Sequence, residues 1–424
     1  MSKPITLLHL ADTHFGMENY GTVDAQTGLH GRLIDFSRTL NQIVDYAIER
    51  SVDVVVFAGD AYKRNSPSPT EQREYIKPFL RLAEAGIPTV MISGNHDIPV
   101  MHGKASSIDI FRTLRPGMFY VYVNQPTIGN TPPPVIETRH GAIAFCCLPY
   151  ISPSFLLNAS QFRNLKGENL RDAYEDFFNQ VITAMAQSVP EEIPRVLVAH
   201  LTVKGSLAGG YRGVSIASDT VEVLPANLAY AGYDYVALGH IHQHQDLSPR
   251  PEVPVVYSGS PDRIDFGERD EEKGFVIAQV ERGKTTHEFI PTNVREFIQI
   301  DVETRPEESL TDQIVQAIQC EPIEDAVVRV RFTANDEEVS ALDMKAIHQA
   351  LRSAHFKAGL IRQPREQKNT RRSTSLSTEM TVQDALTAYL KERPDFEPYQ
   401  ESIIVKAKEI EDTVRNTGHP FGGA

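Results

Sequence analysis

Five short blocks within the first 242 residues set metal-binding side chains directly after apolar runs. They are Asp12-Thr13-His14, Gly59-Asp60, Gly94-Asn95-His96-Asp97, Ala199-His200 and Gly239-His240-Ile241-His242. As donors they offer the carboxylates of Asp12 and Asp60, the Asn95 amide, and the imidazoles of His14, His200, His240 and His242, with His96 and Asp97 left for other work. Carboxylate, amide and imidazole in that number suit two divalent cations that share a bridging group. A lone Asp-x-His or Gly-Asn-His-Asp arises by chance. Five such blocks in succession are hard to explain otherwise.

The blocks need elements that bring them together. Residues 5–10 are mostly apolar and stop at Ala11-Asp12; residues 52–57, apolar apart from Asp53, stop at Ala58-Gly59-Asp60. Residues 88–92 stop at Ser93-Gly94-Asn95, residues 196–198 at Ala199-His200, and residues 235–238 at Gly239-His240. Short β-branched runs bounded by turn residues read as buried strands. Such strands end at a common sheet edge, where ligands from distant positions can meet. Gly59, Gly94 and Gly239 suit a tight exit close to the metals. His240 and His242 alternate, so an extended segment would point both imidazoles the same way.

A chain of 424 residues should hold two or three domains, with ample apolar content for a large core. No apolar run is long enough to span a bilayer and the N-terminus carries no secretory pattern, so no membrane association is expected. Of the three cysteines, Cys146 and Cys147 sit in the apolar run 143–148 and read as buried strand thiols. Sparse cysteine fits a reducing cytoplasm, the expected location. A net charge of −14 excludes a chain that coats nucleic acid through bulk charge. It leaves room for a nuclease, because bound cations supply local positive charge. Any nucleic-acid footprint is then local or shared with a partner.

Residues 1–292 alternate apolar strands with helical stretches, as in sheets flanked by helices. Helices are expected over 32–50, 70–85 and 169–189; the first carries Leu33, Phe36, Leu40, Ile43, Val44 and Ala47 at amphipathic spacing. Residues 129–134 read as a surface loop. Residues 204–218, rich in Gly, Ser and Lys/Arg between two ligand blocks, read either as a substrate loop or as a plain connection. Residues 293–361 read as a small β-α-β-α accessory domain without metal-type clusters. The polar stretch 362–379 reads as a flexible linker. Residues 380–416 hold two short amphipathic helices with little core of their own, so their apolar faces are expected to dock on a partner.

The five blocks, in this order and each after an expected strand, resemble the calcineurin-like metallophosphoesterase superfamily. Finer matches point to its SbcD-type DNA-repair nucleases: the run from His9 to Gly16, Thr27-Gly28-Leu29-His30-Gly31-Arg32, Ser66-Pro67-Ser68-Pro69, Tyr257-Ser258-Gly259-Ser260-Pro261 and Phe266-Gly267-Glu268. The resemblance covers roughly residues 5 to 290. It implies an α/β fold, a two-sheet sandwich flanked by helices (α-β-β-α), with a small α+β capping domain and a C-terminal helix pair.

Carried over by position, the resemblance implies one metal on Asp12, His14 and His242, the other on Asn95, His200 and His240, and Asp60 bridging both. It further implies two divalent ions, with Mn2+ the leading choice, His96 acting on the phosphate and Asp97 orienting His96. Where many members have His or Asp three residues past the bridging carboxylate, this chain has Lys63, which reads equally as a phosphate contact or a surface lysine. The implied function is a DNA nuclease, double-strand exonuclease and single-strand endonuclease, working as a homodimer with an SbcC-like coiled-coil ATPase held by the C-terminal helices. The alternatives are a small-molecule or protein phosphoesterase on the same scaffold, and a non-catalytic module that kept the fold. His9 reads as a core residue, His30 as a helix start and His244 as lying past the rim of the site.

Overall fold

The computed structural model describes residues 3–99, 103–123, 133–152, 165–166, 168–207, 222–305, 308–364 and 399–417, with residues 156, 162, 209, 386–387, 389–390 and 396. Residues 1–332 with 337–362 form one compact unit, and 333–336 with 363–424 a second. Most of the expected loop 129–134, nearly all of the loop 204–218 beyond its first residues, and nearly all of the linker lie outside the described residues.

The first unit is built on two six-stranded sheets. One contains parallel β1 (Ile5–Leu10), β2 (Val54–Phe57), β3 (Thr89–Ile92) and β4 (Phe119–Tyr122). Helix α1 (Gly31–Glu49) joins β1 to β2 and α2 (Pro69–Glu84) joins β2 to β3. His30 starts α1 by accepting the Arg32 N–H, the simple role its position suggested. A Ser68–Glu71 capping box with Pro69 in the first turn starts α2.

The second sheet begins with β5 (Val135–Thr138) and β6 (Gly141–Leu148). After α3 (Glu168–Gln187) come β7 (Arg195–His200) and a two-stranded pair, β8 (Thr202–Val203) with β9 (Glu222–Val223). β10 (Tyr235–Gly239), β11 (Gln245–Asp246) and β12 (Val255–Tyr257) complete it, in the order β11-β12-β10-β7-β6-β5. The chain then returns to the first sheet as an antiparallel hairpin, β13 (Gly274–Glu281) and β14 (Lys284–Pro291), with β13 beside β1. That hairpin was not anticipated from the sequence.

Strand alternation sorts the core into three layers. Leu7, Val54, Val56, Phe145, Cys147, Val196, Val198, Tyr235 and Ala237 fill the space between the sheets. The intervening residues Leu8, Leu10, Val55 and Phe57 pack on α1 and α2 through Phe36, Leu40, Ile43 and Phe79. On the far side Cys146, Leu197, Val236 and Leu238 pack on α3 through Tyr174, Phe178 and Ile182. This is the expected α-β-β-α sandwich. Both faces of every central strand are covered, which is why the strands read as unbroken apolar runs. Cys146 and Cys147 are buried free thiols.

A smaller sheet follows, β15 (Phe297–Val302), β16 (Val327–Ala334) and β17 (Phe356–Pro364), with helices α4 (Leu310–Gln319) and α5 (Met344–Ala350). Helix α5 is followed by a 3-10 turn, Leu351–Ser353; β17 lies beyond the expected β-α-β-α order and was not foreseen. The Arg295 guanidinium grips Asp35 of α1 at 2.8 and 3.0 Å. Phe266 of the main sandwich packs against Phe297 and Val327, with the Arg329 guanidinium 3.8 Å above its ring. In the second unit, α6 (Gln400–Thr417) exposes Val405 and Ile410. No helix among the described residues is long and apolar enough to cross a membrane.

Candidate metal centre

All five blocks leave the carboxyl ends of parallel strands: Asp12 after β1, Asp60 after β2, Asn95 after β3, His200 at the end of β7 and His240 after β10. The first two exits are paired beyond their strands. Asp12 N donates to Gly59 O at 2.9 Å, His14 N to Asp60 O at 3.2 Å and Phe15 N to Ala61 O at 2.9 Å. This pairing holds unusual backbone. Asp12, His14, Asp60 and His240 have φ of 52°, 41°, 58° and 102°, in territory that non-glycine residues enter at a cost of about 1–3 kcal/mol each. A Cβ on Gly94 would overlap the Asp60 carboxylate, and one on Gly239 the Ala58 carbonyl, so these exits require glycine. His240 also corrects one expectation: its segment bends rather than extends, and the two imidazoles reach different partners.

Asp60 lies at the centre. Its Oδ2 is 3.6 Å from His14 Nε2 and 3.5 Å from His200 Nε2, and its Oδ1 accepts the His96 N–H at 2.8 Å. On one side Asp12, His14 and His242 present ligand atoms within 4.8 Å of one another, and the His14 and His242 Nε2 atoms are 2.9 Å apart. On the other side Asn95 Oδ1 sits 3.1 Å from both His200 Nε2 and His240 Nδ1. Asp12 accepts the His240 N–H at 2.9 Å, which joins the two sides.

The electrostatics fit cations. Burial, followed by the neighbouring His242, drives His14 well below the usual imidazole range; burial and then Lys273 do the same to His242. Burial, with His200 beside it, holds His240 down at about 3. Neutral imidazoles turned on one another offer lone pairs to something positive. Burial would raise Asp60, but His200, His14 and His96 outweigh it and hold its carboxyl well below the carboxylate range. Burial pushes Asp12 up to about 8 against the pull of His200. His200 rises to about 9 because the charge and hydrogen bond of Asp60 overcome its burial. The donor set therefore fits divalent cations.

His96 and Asp97 separate in role. The His96 Nδ1 meets the Lys63 carbonyl at 2.9 Å, and its ring stands edge-on to His14 at 4.7 Å between centroids. Lys63 thus contributes its backbone to the site, a function its side chain could not announce. Asp97, expected to orient His96, instead accepts backbone N–H groups of Asp60, Ala61 and Gly94 at 2.9–3.1 Å and the Ser107 hydroxyl at 3.0 Å. It ties the exits of β2 and β3 together. Burial and then the Asp60 charge raise it to about 6.

The bland histidines stay bland. His9 is fully buried between the Tyr235 hydroxyl and the Leu238 carbonyl, and His244 bonds the Tyr257 carbonyl and stacks on Phe289. Sequence reasoning missed Tyr150, whose ring stacks at 6.4 Å on His240 and stands edge-on to His200. It also gave no role to Glu268, although the Phe266-Gly267-Glu268 match marked the place.

The family model for calcineurin-like phosphoesterases matches residues 5–244. The SbcD component of nuclease SbcCD from Escherichia coli K12 is 25% identical over 284 residues, 66% of this chain and 66% of that one. Its counterpart from Staphylococcus saprophyticus is 27% identical over 296 residues, 67% and 68% of the two chains. The DNA double-strand break repair protein Mre11 of Saccharolobus solfataricus is 25% identical over 265 residues, 61% of this chain and 55% of that protein. This chain thus spans about two thirds of the length of the first of these relatives.

Proposed function

The chain belongs to the calcineurin-like phosphoesterase family, and on that premise we propose that it is a metal-dependent DNA nuclease. In this reading it is the phosphodiesterase component of a double-strand break repair complex, with exonuclease action on duplex ends and endonuclease action on single strands. The observation that carries the reading is the convergence on Asp60 of groups from both sheets, the His14 and His200 imidazoles and the His96 backbone N–H among them. The names of the relatives, a nuclease component and a break-repair protein, direct the phosphoester chemistry to DNA.

Two divalent cations, Mn2+ in this proposal, held by Asp12, His14 and His242 and by Asn95, His200 and His240 with Asp60 between them, would supply Lewis acidity and an acidified attacking water. The chain's own residues do the rest. The His96 N–H and the loop tied by Asp97 fix the Asp60 carboxylate. His96, anchored at Nδ1 by the Lys63 carbonyl, keeps Nε2 for the phosphoryl group and protonates the leaving oxygen. Tyr150 places its ring beside both His200 and His240. Exposed Val405 and Ile410 of α6 belong to the surface that would dock an SbcC-like coiled-coil ATPase, with two copies of the chain in the complex.

Incubating the Mn2+-loaded protein with a linear DNA duplex tests this directly. Released nucleotides are the expected product. Hydrolysis of small phosphoesters alone, with or without the ATPase, would replace this reading with the phosphatase one.

A further inference from the structure

The His242 imidazole is held from behind by a chain of buried charges. Its Nδ1 donates to Glu268 Oε1 at 2.8 Å, and Glu268 Oε2 meets Lys273 Nζ at 2.9 Å, with both residues in this ion pair fully buried as side chains. Lys273 Nζ also reaches Glu271 Oε2 at 2.8 Å, the Ser260 hydroxyl at 2.9 Å and the carbonyl of His242 itself at 3.2 Å. The Ile264 N–H completes the grip on Glu268 Oε2 at 2.8 Å. A carboxylate can only accept, so Nδ1 of His242 carries the proton and Nε2 is left with its lone pair. That Nε2 faces His14 Nε2 and the Asp12 side of the centre.

We propose that Glu268, itself held by Lys273, is a positioning residue that fixes the tautomer and rotation of His242 and so sets the affinity of the cation on Asp12, His14 and His242. This rests on the two-cation reading above. Ring rotation would turn a C–H toward the cation, and the opposite tautomer an N–H. A carboxylate behind the imidazole removes both alternatives and makes Nε2 a stronger donor. Such a buried Glu–Lys pair is a poor choice for stability alone, since desolvation opposes it. Orientation of a ligand gives it a reason to be there.

The test titrates Mn2+ into the full-length wild-type protein, Glu268→Gln and the double variant Glu268→Gln/Lys273→Met, by calorimetry, with melting of each metal-free protein alongside. Two uptake events are expected for wild type. In both variants one event should weaken by about 10- to 100-fold while the other keeps its affinity. The double variant leaves no unpaired lysine, so it reads the role of Glu268 even where the single variant fails to fold. Lower melting with both affinities intact would make Glu268 structural and overturn the proposal. If wild type takes up no Mn2+, the two-cation reading falls and this one with it; if wild type takes up two and the variants match it, only the positioning role falls.

Discussion

The Asp97 carboxylate is bound to the backbone of Asp60: its Oδ2 accepts the Asp60 N–H at 2.9 Å. The same oxygen accepts the Gly94 N–H at 2.9 Å, so one buried side chain spans the exits of two neighbouring strands. Asp97 therefore shapes the site through the backbone that carries Asp60.

Replacing Asp97 by alanine would take the acceptor from four backbone N–H groups, those of Asp60, Ala61, Tyr62 and Gly94. A stability loss of about 2–4 kcal/mol is expected, with loss of Mn2+ uptake. Asp97→Asn keeps an acceptor oxygen and should lose less. Denaturant melts of the metal-free proteins give the comparison. Unchanged stability with activity alone lost would return Asp97 to a role in the reaction.

His96→Ala should behave in the opposite way. Its ring packs beside His14 and its backbone, not its imidazole, bonds Asp60, so the fold and Mn2+ uptake should survive. DNA hydrolysis should fall about 10²- to 10⁴-fold, the range for a lost general acid. A variant with full activity would refute the proton-transfer role, and one that fails to take up metal would make His96 a ligand.

Gly94→Ala places a methyl group on the Asp60 carboxylate and should abolish Mn2+ uptake. Gly28→Ala is the control: φ there is +68° with open space around the added carbon. It should cost about 1–2 kcal/mol through backbone conformation and leave uptake intact. Equal uptake by both variants would show that the β3 exit tolerates the displacement.

Cation uptake should release protons. Near pH 7 the metal-free site holds protons on His200, raised to about 9 by Asp60 despite burial, and on Asp12, raised to about 8 by burial. Both must leave before these groups can bind a cation. Apparent Mn2+ affinity should thus rise with pH from about 6 and level off above about 9, the sign expected when bound protons compete. Calorimetry in two buffers of different ionisation enthalpy counts the protons. Affinity that is flat from pH 6 to 9 would contradict the protonated metal-free site.

Much of this protein was legible in its sequence because strand ends are local events. The apolar runs before Asp12, Asp60, Asn95, His200 and His240 marked buried strands, and glycines at 59, 94 and 239 marked the turns out of them. Amphipathic spacing from Leu33 to Ala47 located the buried face of α1. The β13–β14 hairpin and β17 escaped notice, since nothing in a run such as Lys284–Pro291 specifies its partner before that partner is in place.

Tertiary structure alone decided what each side chain faces. Asp97 follows His96 in the chain, yet backbone donors across two strand exits capture its carboxylate. Lys63 enters through a carbonyl, which is identical in every residue and so invisible in a sequence. Glu268 lies 26 positions beyond His242 and meets it only because the chain folds back behind the ring. The five blocks fixed which groups could bind cations; packing across distant strands fixed how those groups are aimed.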